Sequence, residues 1–306
     1  MERTRTWDAI VVGGGPAGLC AALLLGRCRR EVALFDEGRP RNEMSEQVHA
    51  FLGLPAVSPR ELLAIGRGQL TAYPNVSIHQ RRVEEVGRSP GGFKIVVEGG
   101  AEFRSRALVI ASGLIDRLPE VEGIDRFYGK SAFPCPYCDG WENADRILAA
   151  LGTGNEAAEL AIELRLWSDR VSCFITGDAP GPSALARMQK LGIRFHGSPA
   201  VKAIGENGHL SGLELADGTV APCQALFLVD LQIQHDDFLQ KMGCHLSDGG
   251  QVECEDSGKT GTPGLFVAGN AKKGLQMAMV AAADGIKCGA AANEWLLRQD
   301  EAEMNP

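Results

Sequence analysis

The chain repeats itself. Asp8-Ala9-Ile10-Val11-Val12 is an apolar run that leads into Gly13-Gly14-Gly15-Pro16-Ala17-Gly18 and then an apolar stretch through Leu25. Arg146-Ile147-Leu148-Ala149-Ala150-Leu151 leads in the same way into Gly152-Thr153-Gly154-Asn155-Glu156-Ala157 and a stretch reaching about Trp167. The copies align without a gap at an offset of 139 residues, which carries Gly13 onto Gly152, Gly15 onto Gly154, Val32 onto Val171 and Phe35 onto Phe174. Strand, glycine turn and helix in that order open a dinucleotide-binding βαβ unit. The glycines permit a tight turn and close approach of backbone to a pyrophosphate, whose charge rests on the N–H groups of the helix start. Two such units predict an α/β protein with two Rossmann-like domains, each a parallel sheet with a small antiparallel addition.

The two copies differ where the nucleotide would be read. Val32-Ala33-Leu34-Phe35-Asp36 is the second strand of the first copy, and Asp36 lies 18 positions beyond Gly18, where a carboxylate accepts bonds from both ribose hydroxyls. In the second copy the same offset lands on Ile175, which cannot. A phosphorylated ribose needs a cation there instead, and none follows until Arg187. Gly152, Gly154, Asn155 and Ala157 therefore mark either an NADH site, served by Asp178 if its loop folds back, or a structural relic.

Between the copies stands Cys135-Pro136-Tyr137-Cys138-Asp139-Gly140. Thiols at this spacing close a small disulfide when a helix start brings them together, and the helix N–H groups favour the thiolate. Half of a zinc site has the same spacing, but no second CxxC or paired His follows, so the pair reads as redox-active and no metal is expected. The remaining cysteines, at 20, 28, 173, 223, 244, 254 and 288, lack spacing logic and are expected to be buried or inert free thiols rather than a secreted disulfide framework. Glutaredoxins share the Cys-Pro-Tyr-Cys wording, but as small domains with the motif near the start, whereas here it follows a complete nucleotide-binding unit.

Lys and Arg total 31 against 39 Asp and Glu, a net charge of −8 with no basic cluster, which argues against nucleic acid or an anionic membrane as partner. No apolar run reaches membrane-spanning length, and Met1–Trp7 lacks the apolar core of a signal peptide, so the expectation is a cytoplasmic protein. Ala107–Ala111 reads as a buried strand ending in Ser112-Gly113, Leu118–Gly123 as an interdomain linker, and Gly264–Asn270 as a strand ending in a glycine turn. A long helix is expected from about Leu275 to Leu297. Its early residues Gln276, Met277 and Ala278 would present N–H groups to an electron-rich ring, or else simply close the chain.

In this order the motifs resemble those of the low-molecular-weight thioredoxin reductases and their thioredoxin-reductase-like relatives, over essentially the whole chain. The Cys-Pro-Tyr-Cys-Asp-Gly-Trp-Glu wording is similar to a branch near the FAD-dependent dithiol oxidases of disulfide-containing natural products. The resemblance implies an FAD-binding domain from 1–117 and 238–306, with 118–237 an inserted pyridine-nucleotide-like unit carrying the CxxC. It implies that Gly13, Gly15, Pro16, Ala17, Gly18, Asp36 and Glu37 hold the ADP half of FAD, with Arg41, Asn42, Ala111 and Gly113 lining the site. Gly269, Asn270, Gln276, Met277 and Ala278 would hold the ribityl chain and ring. Cys138 would face the flavin, Cys135 would exchange with the outside disulfide, and Asp139 would move protons. A homodimer is implied as well.

Three departures accompany it. Asn270 stands where the family has Asp. Ile175-Thr176-Gly177 replaces the His-Arg-Arg run that takes the NADPH phosphate, and Asp230-Leu231 replaces Ile-Gly near the domain return. FAD is expected, and the last two departures argue against NAD(P)H. The reading is a thiol-disulfide oxidoreductase that passes electrons from an external dithiol, a small molecule or a thioredoxin-like protein, to FAD and on to oxygen or another acceptor. The alternatives are an NAD(P)H-dependent disulfide reductase, a ferredoxin-linked reductase, and an FAD-holding redox sensor.

Overall fold

The computed structural model describes residues 5–229, 231–247 and 250–304. Seven α-helices occur among them: α1 (Pro16–Arg27), α2 (Pro59–Leu70), α3 (Pro136–Asp139), α4 (Gly154–Leu164), α5 (Pro182–Lys190), α6 (Phe238–Lys241) and α7 (Ala278–Met304). By contacts the chain divides into two units. One takes the chain up to Glu43, Ala50–Ile115 and everything from Gln232; the other takes Met44–His49 and Asp116–Leu231. The departure at Asp230 lies outside the described residues.

The first unit is a seven-stranded sheet. Val76–His79, Val32–Phe35, Thr6–Val12 and Glu102–Ile110 run parallel, Leu265–Val267 joins Glu102–Ile110, and the antiparallel strands Gly92–Val97 and Val83–Ser89 extend it. Continuous apolar runs suit strands covered on both faces, and Ala9–Val11 and Ala107–Ile110 are fully buried. One face packs on α1 and α7, the other on α6 and the hairpin around Val252.

The second unit repeats the plan. Arg194–Phe195, Val171–Ile175, Leu148–Gly152, Ala225–Leu228 and Ala132–Phe133 form a parallel sheet, beside a three-stranded antiparallel one. The repeat holds down to register: Ala9 pairs with Val32 and Val12 with Phe35, as Leu148 pairs with Val171 and Leu151 with Phe174.

Two expectations need correction. Leu118–Gly123 is no free linker, because Glu122 exchanges backbone bonds with Val201 and Ala203 while Val121 joins the second unit's core. Its proline and charges suggested a solvated crossing, but the apolar residues between them are anchored by tertiary packing. The last helix begins at Ala278 rather than about Leu275 and runs on to Met304, its final turns sequence-compatible but polar.

Helix α7 lies against α1 through residues spaced by four, Ala281, Gly285 and Gly289. A side chain at Gly285 would begin 2.1 Å from the carbonyl oxygen of Ala17, and one at Gly289 would begin 3.0 Å from that of Ala21. Backbone on one side of each contact cannot yield as a flexible side chain would. Gly285→Val is therefore expected to force the helices apart and cost about 3 kcal/mol, read as a lowered denaturant midpoint; an unchanged midpoint would show that the two helices do not need this close contact.

Candidate functional site

Three clusters carry the predicted residues. The first is the glycine turn at the end of Thr6–Val12. Gly13 has φ +101, and a Cβ there would fall 2.3 Å from the Ala111 carbonyl oxygen; at Gly18 it would fall 1.8 Å from that of Gly13. Only hydrogen fits at either position. At Gly15 and Gly113, by contrast, no atom lies within 4 Å of where a side chain would start. Glycine is thus required on the inner side of the turn for packing and leaves bare backbone on the outer side, at the start of α1. Gly269 reaches the same place from the tail, since a Cβ there would meet that of Ala17 at 2.7 Å.

Asp36 follows directly after its strand and accepts a 3.1 Å bond from the Gly14 N–H. Its other carboxylate oxygen takes the guanidinium of Arg67 on α2, a residue that sequence reasoning missed. A lone arginine on a helix carries no positional signal before the helix is docked. Glu37 is engaged too, accepting a 2.9 Å contact from His235 Nε2, with Arg82 at 3.9 Å. Arg41 donates to the side chain of Gln276, whose amide reaches Gln232. The two stretches assigned to the flavin side, far apart in sequence, are therefore joined. Met277 precedes α7, and its carbonyl accepts the N–H of Ala281 at 2.9 Å. Asn42 and Asn270 are half-buried within the same unit.

The second cluster is the thiol pair. Cys135 and Cys138 form a disulfide, their Cα atoms 5.3 Å apart. Cys135 caps the single turn α3 in extended conformation, Pro136 opens it, and the Cys138 N–H reaches back to the Cys135 carbonyl at 3.2 Å. Proline at the first helical position lacks a donor that would have gone unused and fixes the turn that sets the spacing. Asp139 closes the turn. Burial, with the nearby Glu142 carboxylate adding to it, raises its acid to about 7. Glu142 is met at 3.4 Å by His49 Nδ1, from the short piece Met44–His49 that groups with this unit. His49 went unnoticed in the sequence because its separation from the CxxC gives no spacing cue. Tyr137 and Trp141 flank the pair and are exposed.

The third cluster is the second glycine turn. Here the mouth is spanned by the chain's own groups. The Asp178 N–H donates to Thr153 Oγ1 at 3.0 Å, and the Gly154 N–H to the Asp178 carbonyl at 2.7 Å. Asn155 Oδ1 takes the Gly181 N–H at 2.8 Å. The loop does fold back, as an NADH site would need, but it offers backbone rather than the Asp178 carboxylate to the turn. Arg187, the first cation beyond the strand, pairs with Glu159. The other thiols are only partly as expected. Cys173, Cys223 and Cys288 are buried, but Cys28 is exposed at the C-cap of α1, between exposed Arg27 and Arg29.

Among the described residues no three His, Cys, Asp or Glu side chains are grouped to hold a metal ion, and no helix is long and apolar enough to cross a membrane.

Because Asp139 keeps its proton up to about pH 7 when folded, whereas an unperturbed Asp releases it near 3.8, the folded chain holds the extra proton between those values. Stability then falls as pH rises through that window. Asp139→Asn is expected to flatten this part of the stability profile, measured by denaturant unfolding at pH 5 and pH 8; equal slopes in both proteins would refute the raised proton affinity.

Comparison with known proteins agrees with this geometry. The profile of the family described as pyridine nucleotide-disulphide oxidoreductase matches residues 7–285. A probable thioredoxin reductase of Arthroderma benhamiae is 36% identical over 177 residues, a match that spans 56% of this chain and only 44% of that relative. The thioredoxin reductase sirT of Leptosphaeria maculans is 25% identical over 97% of this chain and 96% of its own. Among solved structures, that of HlmI superposes with a TM-score of 0.92 at 31% identity, covering 98% of this chain and 95% of HlmI.

Proposed function

Since the chain belongs to the pyridine nucleotide-disulphide oxidoreductase family, we propose that it works as a dithiol oxidase, taking electrons from an external dithiol through Cys135 and Cys138 to FAD and on to oxygen or another acceptor. It is a flavin oxidoreductase acting on sulfur groups, and FAD is its cofactor. The first cluster fits that group: bare backbone at Gly15, an acid at Asp36 and the joined Arg41–Gln276 wall lie in one unit. When bound, FAD supplies a ring that accepts or returns two electrons.

The observation that carries the direction is the second glycine turn. Thr153 and the Gly154 N–H bond the Asp178 backbone, Asn155 takes the Gly181 N–H, and Arg187 is committed to Glu159. Ile175, Thr176 and Gly177, at the strand end, supply neither a carboxylate for a ribose nor a cation for a phosphate.

The disulfide chemistry belongs to the chain's own residues. One thiolate of the dithiol attacks Cys135, the bond to Cys138 breaks, and Cys138 leaves as thiolate. The second thiol then displaces Cys135 from the mixed disulfide, so the product leaves oxidised and the CxxC is left reduced. Two protons are given up. Asp139, with its acid raised to about 7, is balanced between holding and releasing one near neutrality. Exposed Tyr137 and Trp141 flank the pair and suit either a small dithiol or a thioredoxin-like protein as donor.

The second reading is an NAD(P)H-dependent disulfide reductase. It is favoured by the names of the relatives and by the intact strand, glycine turn and helix at Gly152, Gly154 and Ala157.

Purified protein is expected to be yellow. In anaerobic stopped-flow mixing a dithiol should bleach the flavin while NADPH leaves it oxidised; rapid bleaching by NADPH would reverse the ranking of the two readings. Cys138→Ser should keep FAD and lose exchange with dithiols by at least about a hundredfold. Turnover that survives that change would remove Cys138 from the path.

A further inference from the structure

A second pair of thiols lies in the first unit, on the hairpin that precedes the tail strand. Leu246 and Val252 are bridged antiparallel. The Ser247 N–H donates to the Gln251 carbonyl at 2.8 Å and the Glu253 N–H to that of His245 at 3.0 Å. Those bonds flank Leu246 and Val252, making them a non-hydrogen-bonded pair. Continued outward, the same register sets Cys244 opposite Cys254. Residues at such positions have Cα atoms about 4.5 Å apart and the closest side chains in an antiparallel ladder, within the roughly 4.4–6.8 Å span of disulfides.

The side chains share a face. Cys244 and Cys254 are half-buried and pack on the core that holds Val252 and Leu246, while His245 and Glu253 between them are exposed. Burial pushes both thiols up. Lys272 opposes the rise at Cys254 while Asp284, Cys244 and Asp256 add to it; a hydrogen bond with Thr260 opposes it at Cys244. Cys288, buried on α7, is a third thiol, raised by burial and further by Cys254.

The hairpin has a task in the fold. The Val252 N–H donates to Ala271 at 2.9 Å and its carbonyl takes the Lys273 N–H at 3.1 Å, while Gln234 bonds the carbonyls of Gly250 and Ala271. These contacts hold the segment just after Gly269 and Asn270, on the side of the site assigned to the flavin.

We propose that Cys244 and Cys254 are a second redox-active pair, closed by small-molecule disulfides into a cross-strand bond that staples this hairpin beneath the tail turn. The thiolate of one cysteine attacks a sulfur of the external disulfide and expels one thiol. The thiolate of the other then displaces the second thiol from the mixed disulfide. The protein loses two electrons and two protons, and the external disulfide becomes two thiols. Because both thiols are partly buried, this closure is slower than exchange at Cys135 and Cys138.

The FAD-loaded full chain is incubated with excess 2-hydroxyethyl disulfide, its free thiols are alkylated, and its peptides are mapped by mass. The expected product links Cys244 to Cys254, and the treated protein unfolds about 5 °C higher than Cys244→Ser treated in the same way. Basal flavin bleaching by a dithiol is unchanged in Cys244→Ser. Alkylation of both cysteines throughout, a link from Cys254 to Cys288, or a Cys244–Cys254 link with no rise in unfolding temperature each overturns the proposal. If Cys244→Ser does not fold, Cys254→Ala serves as the reference, and the peptide map of the unaltered chain decides the pairing alone.

Discussion

Everything in the first unit converges on a turn where backbone touches backbone. The Gly13 carbonyl leaves no room for a side chain at Gly18, the Ala111 carbonyl leaves none at Gly13, and the Ala17 carbonyl leaves none at Gly285. Strand, helix α1, the strand ending at Ile110 and helix α7 are thus held at distances that only glycine permits. A methyl group at any of these points would have to displace a peptide unit, which a packed interior resists. The same constraint frees the outer side of the turn: with the inner side filled by carbonyls, the first amides of α1 have no intrahelical partner and face outward. Close packing on one side and open backbone on the other are in this way one arrangement.

At the thiol pair the governing effect is electrostatic. A carboxylate beside a buried turn loses hydration, and a second carboxylate nearby raises the cost of a charge, so Asp139 holds its proton far above the ordinary range. Glu142 is itself met by His49 Nδ1 at 3.4 Å, from a separate stretch of chain. Burial and Glu142 set the proton affinity of Asp139, which is why it belongs to the fold and not to the Cys-x-x-Cys-Asp motif.

Much of this was legible from residues alone. Periodicity and glycine placement located both βαβ units, and the offset of 139 anticipated even the shared strand register. The CxxC gave the disulfide. Partners that depend on docking were invisible: Arg67 reaches Asp36 only once α2 is laid beside the strand end, and His235 reaches Glu37 only after the chain has returned from the second unit. Leu118–Gly123 misled because proline, glycine and charge signal a turn locally, whereas Val121 and the Glu122 backbone are used by tertiary contacts. The start of α7 was misplaced for a related reason. Leu275, Gln276 and Met277 have helical propensity, yet Gln276 is drawn into side-chain bonds with Arg41 and Gln232 that an earlier helix start would not favour.

The comparison between copies explains how one template yields two outcomes. At the offset of 139, Gly14 becomes Thr153 and Pro16 becomes Asn155. In the first copy the residue at that place has only a backbone N–H, which it gives to Asp36. In the second, Thr153 and Asn155 bring oxygen acceptors of their own, and the loop after Ile175 supplies the donors, Asp178 N–H and Gly181 N–H. Each such bond satisfies a polar group that would otherwise seek water or another partner. Two side chains, one with a hydroxyl and one with an amide, placed where the first copy has Gly and Pro, tie the second turn to the loop after Ile175 on a sheet of the same register.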